Sequence, residues 1–523
     1  KYFLKTQNIT PQQVEAVLAN KSLQNFYNRH IEIQRFNGEI LSHHLEKIKV
    51  LYHQLMTENA EFVHTGQRHR FMQLLQFTEM SMAGKSDEEK QRKSNLLKGR
   101  RILENEFSKS IRSKSIRELA ANEAGPLIRE LKPVWLMSPL SVSDTLPIDK
   151  DYFDVVIFDE ASQITLEEGV PPVFRASQAI IVGDEMQMPP TNFFSTGISD
   201  PNDLWIDDEE ESTQISLDAD SLLVQGGRKL PSVRLGWHYR SRFESLIGFS
   251  NAAFYERDLL TIPDKTALTE QPQPIVVRQT VDPEKFAPEV TRRAISYHYL
   301  ENGVYERRSN IAEAAYIAQL VRNLLQKDGH LSIGVVAFSM QQQGEIENAI
   351  DELAAEDKAF EALLEAEYKR TEDNQFVGLF VKNLENVQGD ERDIIIISTC
   401  YGYNKHGKML MNFGPINKRG GEKRLNVIFS RAKKHMVVVS SIKYTDIKNE
   451  YNEGANFFRK YLQYAENVSI GNMEGADTLL ATLSEEKEDE RFNGRQTHLL
   501  QELTEALESR GHSVRQMVGQ SFF

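Results

Sequence analysis

The sequence predicts an α/β protein: parallel sheets flanked by helices, a helical block ahead of them and the start of a further αβ unit behind. Three observations carry that prediction. Short apolar runs of strand length end in polar or small residues, namely Val134–Met137, Val155–Phe158, Ala179–Val182, Ile333–Phe338, Phe380–Leu384, Ile394–Ser398 and Val437–Ser440. Buried parallel strands read this way, with their chemistry at the carboxyl ends. Segments of helical period, Ile311–Leu325 and Gln343–Leu353, stand between them. Residues 1 to about 122 have few glycines and one proline, and their apolar residues recur at three and four spacing through Ile33–Leu55 and Phe71–Leu75.

Composition bounds the rest. At about 150 residues per domain, 523 residues predict three to four domains. Apolar residues at 40% and charged residues at 26% suit a globular chain, neither disordered nor membrane-spanning. No apolar run approaches the roughly 18 residues of a spanning helix. The one cysteine, Cys400, excludes a disulfide framework and suits a reducing compartment, which gives a cytoplasmic expectation. Seventy-six acids against 62 bases give a net charge of −14, which argues against coating nucleic acid by bulk charge. A local basic channel stays open. The base-rich stretch Lys85–Arg117 reads as a solvated helical face or, more sharply, as an arm that tracks a nucleic-acid backbone. The chain starts at Lys1 and stops at Phe523 after a strand-like run, with no signal peptide at the start, and reads as part of something larger.

Further along, residues 206–220, with the acidic patch Asp207–Glu211, read as a surface excursion. A second strand–helix series runs from Val233 to Ser441 and could repeat the fold of the first. Residues 446–490 read as helical, then turn charge-rich at Glu485–Arg491 like a linker. A last helix, His498–Ser509, precedes a strand-like Ser513–Val518.

Two strand ends carry chemistry. In Phe153-Asp154-Val155-Val156-Ile157-Phe158-Asp159-Glu160, an apolar strand delivers two adjacent carboxylates. In a nucleotide hydrolase the first, Asp159, holds Mg²⁺ and the second, Glu160, polarises the attacking water. Some twenty residues on, Ile180-Ile181-Val182-Gly183-Asp184-Glu185-Met186-Gln187 is followed by Met188 and the pair Pro189-Pro190. Gln187 is suited to hydrogen-bond both that water and a γ-phosphate oxygen, and the prolines stiffen the loop that follows.

The arrangement resembles the superfamily 1 helicases, in particular the branch containing the nonsense-mediated-decay helicase. Asp159-Glu160-Ala161-Ser162 looks like their Walker B motif, and 183–190 like their motif III. Leu235-Gly236-Trp237-His238-Tyr239-Arg240-Ser241 resembles motif IV, Val387-Gln388-Gly389-Asp390-Glu391-Arg392-Asp393 motif V, and Arg424–Ala432 motif VI. The match covers about 133–445, with five motifs in order. It implies two RecA-like domains that clamp ATP·Mg²⁺ between them, and movement along a single strand, generally 5′ to 3′. Arg240 and Arg431 then act as arginine fingers, since fixed guanidiniums in a dry cleft stabilise charge spreading over the γ-phosphoryl oxygens. Tyr239 stacks on adenine, Glu391 takes the ribose hydroxyls, and Gln388 and Gly389 lie on the nucleotide side with them. Single-stranded nucleic acid, DNA favoured over RNA, is expected to cross the top of both domains. It would meet Ser138 and Pro139, then Thr191 and Asn192, and in the second domain Ser339, Gln341 and Asn383, short polar residues suited to phosphate and sugar.

Two departures matter. The only Walker A candidate is Gly84-Lys85-Ser86, but Glu79 stands where the leading glycine should be and Leu74–Met82 reads as helix. The phosphate-binding lysine is therefore expected upstream of Lys1, and residues 1–122 as a helical insertion of the first RecA-like domain. The remainder of that domain is 123–230, the second domain 231–445, and a helical linker 446–492. The second departure is 493–523, which resembles over about thirty residues the start of the restriction-endonuclease-like domain of very-short-patch repair enzymes, and which also reads as a plain αβ unit. Large bacterial helicases of this group carry such a domain, which suggests DNA repair or phage defence. Two alternatives to the helicase reading are a non-hydrolysing clamp or scaffold and a helicase–nuclease.

Overall fold

The computed structural model describes residues 11–30, 38–190, 221–262, 272–278, 282–327, 331–373, 375–418 and 420–485, together with Leu507 and Ser509. Thr191, Asn192, the acidic excursion and the expected tail strand Ser513–Val518 lie outside them. By contacts the chain divides into residues 1–150 and 151–523, and each unit is described alone.

The first unit is helical: Pro11–Arg29, Gly38–Glu79, Asp87–Phe107, Ile116–Ala120, Gly125–Leu131 and Pro139–Thr145. The second of these has 42 residues and at 1.5 Å per residue is about 60 Å long. Among the described residues, its C-terminal end packs in a core, where Phe71, Leu74 and Phe77 meet Leu96, Leu103, Ala124 and Leu127. The Gly84-Lys85-Ser86 sequence is a helix joint. Ser86 Oγ accepts from Glu89 N and Ser86 N donates to Glu89 Oε2 at 3.0 Å, a capping box that starts Asp87–Phe107. Part of the basic stretch is ion-paired: Lys85 reaches Glu89, Lys90 reaches Asp87, Lys98 reaches Glu123, Arg100 reaches Glu79 and Glu104, and Lys109 reaches Glu106. The expected strand Val134–Met137 is a correction. It is irregular, with Leu136 95% exposed. An apolar run becomes a buried strand only where a neighbouring strand takes its backbone groups, and this one pairs with no strand among the described residues.

In the second unit, β1 (Phe153–Phe158) and β2 (Ala176–Ile181) pair in parallel, Phe158 opposite Ile181, with the helix Leu166–Phe174 crossing between them. Val182 N donates to Phe158 O at 2.8 Å and Ala161 N to Val182 O at 2.9 Å, which ties the two strand ends together. The main sheet has six parallel strands in the order β3-β4-β10-β9-β5-β8. They are β3 (Ile275–Val277), β4 (Ile295–Leu300), β5 (Ile333–Ala337), β8 (Phe380–Asn383), β9 (Arg392–Ser398) and β10 (Ala432–Ser440). β6 (Thr371–Glu372) and β7 (Gln375–Phe376) form a separate two-residue hairpin. Helices cover both faces. Ile317, Leu320, Ile346 and Ile350 pack on one with Val335, Ile396 and Val437. Phe249, Leu425, Phe458 and Leu480 pack on the other with Ile395 and Val438. The helices Glu453–Ser469 and Met473–Glu485, expected as a linker, thus belong to this core.

A buried carboxylate bridges the carboxyl ends of β9 and β10. Glu313, in the first turn of the helix Ile311–Gln326, accepts from Ser398 Oγ (2.8 Å), Cys400 N (2.9 Å) and Ser441 Oγ (2.8 Å). Burial outweighs these bonds and pushes its pKa up to about 7. The folded state then holds a proton that the unfolded state releases above pH ~4.5. Stability from this group is present below that value and lost as pH rises toward 7, by about 3 kcal/mol. We expect the stability difference between wild type and Glu313→Gln, followed by urea unfolding from pH 5 to 8, to shift against wild type as pH rises. A pH-independent difference would contradict the placement.

Candidate functional site: a nucleotide cleft

Asp159 and Glu160 follow β1 directly. Asp159 is exposed, its Oδ1 accepts from Glu160 N at 3.1 Å, and no lysine or arginine pairs with it among the described residues. Its charge is therefore available to a cation. No group of three or more His, Cys, Asp or Glu clusters there among the described residues. That donor set suits Mg²⁺, which takes one or two carboxylates and completes its shell with phosphate oxygens and water. Glu160 sits in the left-handed region at φ 52, ψ 39. A non-glycine residue there costs on the order of 1 kcal/mol. Glu160 Oε2 accepts from Gln388 Nε2 at 3.0 Å. Gln388 lies in the turn after β8, which Gly389 makes possible with φ 88. The other amide atom of Gln388, Oε1, is buried without a partner.

Gln187 lies in the turn after β2. Its Nε2 donates to Asp184 Oδ2 at 3.1 Å and its Oε1 accepts from Arg431 Nη2 at 3.3 Å. Arg431, at the start of β10's approach and 2% exposed, is held by Nε donating to Val427 O at 2.7 Å. Burial, then the nearby Arg240 charge, pushes its pKa down to about 10, with the Glu160 carboxylate opposing the shift. It remains a cation at neutral pH. Arg240 lies in the irregular stretch before the helix Ser245–Phe254. Its Nε donates to Glu391 Oε2 at 2.5 Å and its Nη1 to Ser430 O at 3.2 Å. Glu391 Oε1 pairs with Lys433 at 2.9 Å. Burial acts to raise the Glu391 pKa, but Lys433 and Arg240 together hold it below the usual carboxylate range.

Six of the expected nucleotide-side residues thus come together: Glu160, Gln187, Arg240, Gln388, Glu391 and Arg431. Glu391, expected on the ribose, has both oxygens engaged by bases. Tyr239 is 90% exposed beside Arg240, in irregular chain and not in a strand. Sequence reasoning missed Lys433, Tyr255 and Asn426, whose partners lie far away in the chain.

The residues expected on nucleic acid are helix and loop ends. Ser138 caps Pro139–Thr145 by accepting from Ser141 N, with Pro139 in the first turn. Ser339 caps Met340–Glu356 and donates to Arg308 O at 2.6 Å, leaving Gln341 exposed in the first turn. Asn383 is buried at the end of β8, where its Oδ1 accepts from Asn386 N at 3.1 Å.

Two family models match, each described as an AAA domain, over residues 6–195 and 220–443. The chain is 32% identical over 345 residues to an uncharacterized ATP-dependent helicase of Mycoplasma genitalium, covering 65% of this chain and 28% of that one. It is 32% identical over 356 residues to the Mycoplasma pneumoniae homolog, covering 67% and 29%. It is 23% identical over 304 residues to helicase sen1 of Schizosaccharomyces pombe, covering 55% and 15%. The chain therefore spans under a third of the length of these relatives. With AAA domains matched on either side of the cleft and helicases among its relatives, the chain belongs to the superfamily 1 ATP-dependent helicases.

Proposed function

We propose that this chain supplies the ATP-hydrolysing core of a helicase that moves 5′ to 3′ along single-stranded nucleic acid, DNA in preference to RNA, in bacterial DNA repair or phage defence. The observation that supports ATP hydrolysis is the paired approach across the cleft, while direction, strand type and biological role rest on the family resemblance. Glu160 after β1 meets Gln388, and Gln187 after β2 meets Arg431, both partners coming from the six-stranded half. Mg²⁺ held by Asp159 would neutralise charge on the nucleotide phosphates. Glu160 orients the attacking water and takes its proton, the Gln187 amide spans water and γ-phosphoryl oxygen, and Arg240 and Arg431 stabilise the charge that spreads in transfer. Arg240 must first leave Glu391, so its insertion is coupled to a rearrangement of that ion pair. Ser138, Pro139, Ser339, Gln341 and Asn383, with Thr191 and Asn192, would contact the strand.

The test is unwinding by the full-length protein of duplexes with a 5′ or a 3′ single-stranded tail, each made in DNA and in RNA. We expect ATP-dependent opening of the 5′-tailed DNA. Opening restricted to 3′ tails would reverse the direction, and opening of RNA alone would reverse the substrate.

A further inference from the structure

The Gln187 loop is tied to the six-stranded half by more than Arg431. Tyr255, the residue after the helix Ser245–Phe254, donates its hydroxyl proton to Asp184 Oδ2 at 2.6 Å. The same hydroxyl accepts from Asn426 Nδ2 at 2.8 Å, and Asn426 Nδ2 also donates to Met186 O at 2.9 Å. Asp184 Oδ2 is the oxygen that takes Gln187 Nε2, and Asp184 Oδ1 takes Met186 N at 2.9 Å. Asn426 and Val427 lie in the helix Gly421–Phe429, and Val427 O holds Arg431, which returns to Gln187. The result is a closed ring: Gln187, Asp184, Tyr255, Asn426, the end of that helix, Arg431 and Gln187 again. The loop is also anchored by packing, since Met188 is buried within the core that covers one face of the main sheet.

We infer that Tyr255 is a positioning residue for hydrolysis, which acts through Asp184 to fix the Gln187 amide with its oxygen toward Arg431 and its nitrogen toward the carboxylate. A free glutamine amide flips at little cost, but only one orientation offers an acceptor to a guanidinium and a donor to a carboxylate. Asp184 can impose that choice only if its own carboxylate is fixed, and Tyr255 is the side chain that fixes Oδ2 from outside the loop. Burial first, and then the Asp184 charge, push the Tyr255 pKa far above its ordinary value, so the hydroxyl remains a donor at any working pH. Asn426 in turn fixes the hydroxyl's lone pair, so the proton points at Asp184 and nowhere else.

The inference rests on the hydrolysis proposed above, and the experiment separates the two. Stimulated ATPase is measured on the full-length protein for Tyr255→Phe, Gln187→Ala and the double variant, with Glu160→Gln as a control and thermal unfolding recorded for each. Phenylalanine keeps the ring and removes only the hydroxyl. A hydrogen bond to a charged group of about 1.5–3 kcal/mol converts to a roughly 10- to 100-fold lower kcat, with KM for ATP changed by less than about twofold. In the Gln187→Ala background the same substitution should cost nothing further, because the amide it positions is gone. Asp184→Asn should follow the same pattern, which covers the case of an unstable Tyr255→Phe. An equal loss in both backgrounds, or no loss in either, overturns the positioning role. Full activity of Glu160→Gln would instead overturn the proposed hydrolysis itself.

Discussion

Glu160→Gln in the full-length protein is expected to lower stimulated ATP turnover by about 10²- to 10⁴-fold while leaving nucleotide binding close to wild type. The substitution is nearly isosteric, and its amide oxygen can still accept from Gln388 Nε2, which donates to Glu160 Oε2 at 3.0 Å. The backbone bend at φ 52 is expected to be retained, since the adjoining Ala161 N still donates to Val182 O. What would be lost is the charge proposed to take the proton from water. Turnover by stopped-flow phosphate release, with binding of a fluorescent ATP analogue in parallel, checks this. Turnover near the wild-type rate would remove Glu160 from the mechanism.

Arg431→Lys is expected to have the second large effect, a loss of about 10³-fold or more in kcat, the range of an arginine finger. Arg431 uses two separate guanidinium nitrogens, Nε for Val427 O and Nη2 for Gln187. An ammonium is a single point donor and cannot hold both and still face a phosphoryl group. Its burial beside Arg240, which already lowers the arginine's pKa, would also favour loss of the lysine's proton. The measurement is kcat at saturating ATP with nucleotide affinity determined separately. A kcat within twofold of wild type would show that Arg431 serves only to brace the Gln187 loop.

Much of this cleft was legible in the sequence because its residues stand at the ends of apolar strands. Ile157-Phe158 before Asp159 and Ile181-Val182 before Asp184 mark β1 and β2, and the run Ile394–Ser398 marks β9. β4 was missed because its apolar pattern is broken by Ser296 and His298. Both are fully buried, and His298 bonds Tyr316 at 2.6 Å and Ser296 at 3.1 Å. Such partners are invisible along the chain. Val134–Met137 failed in the opposite sense, with strand composition but no strand to pair with. The same limit explains the site residues that were missed. Tyr255 follows a helix of ordinary core composition, and only the fold brings it to Asp184, 71 positions away. Lys433 reads as one base among several, until Glu391 is found between it and Arg240.

We expect hydrolysis in this cleft to be coupled to a bound strand, because the carboxylates after β1 would have to meet guanidiniums carried by the six-stranded half. A ligand that favours the closed arrangement raises the population able to react. The most direct test is steady-state ATPase of the full-length protein, titrated at low salt with a single-stranded oligonucleotide. We expect a saturable, several-fold rise that is lost in Glu160→Gln. An unchanged rate at saturating strand would contradict it.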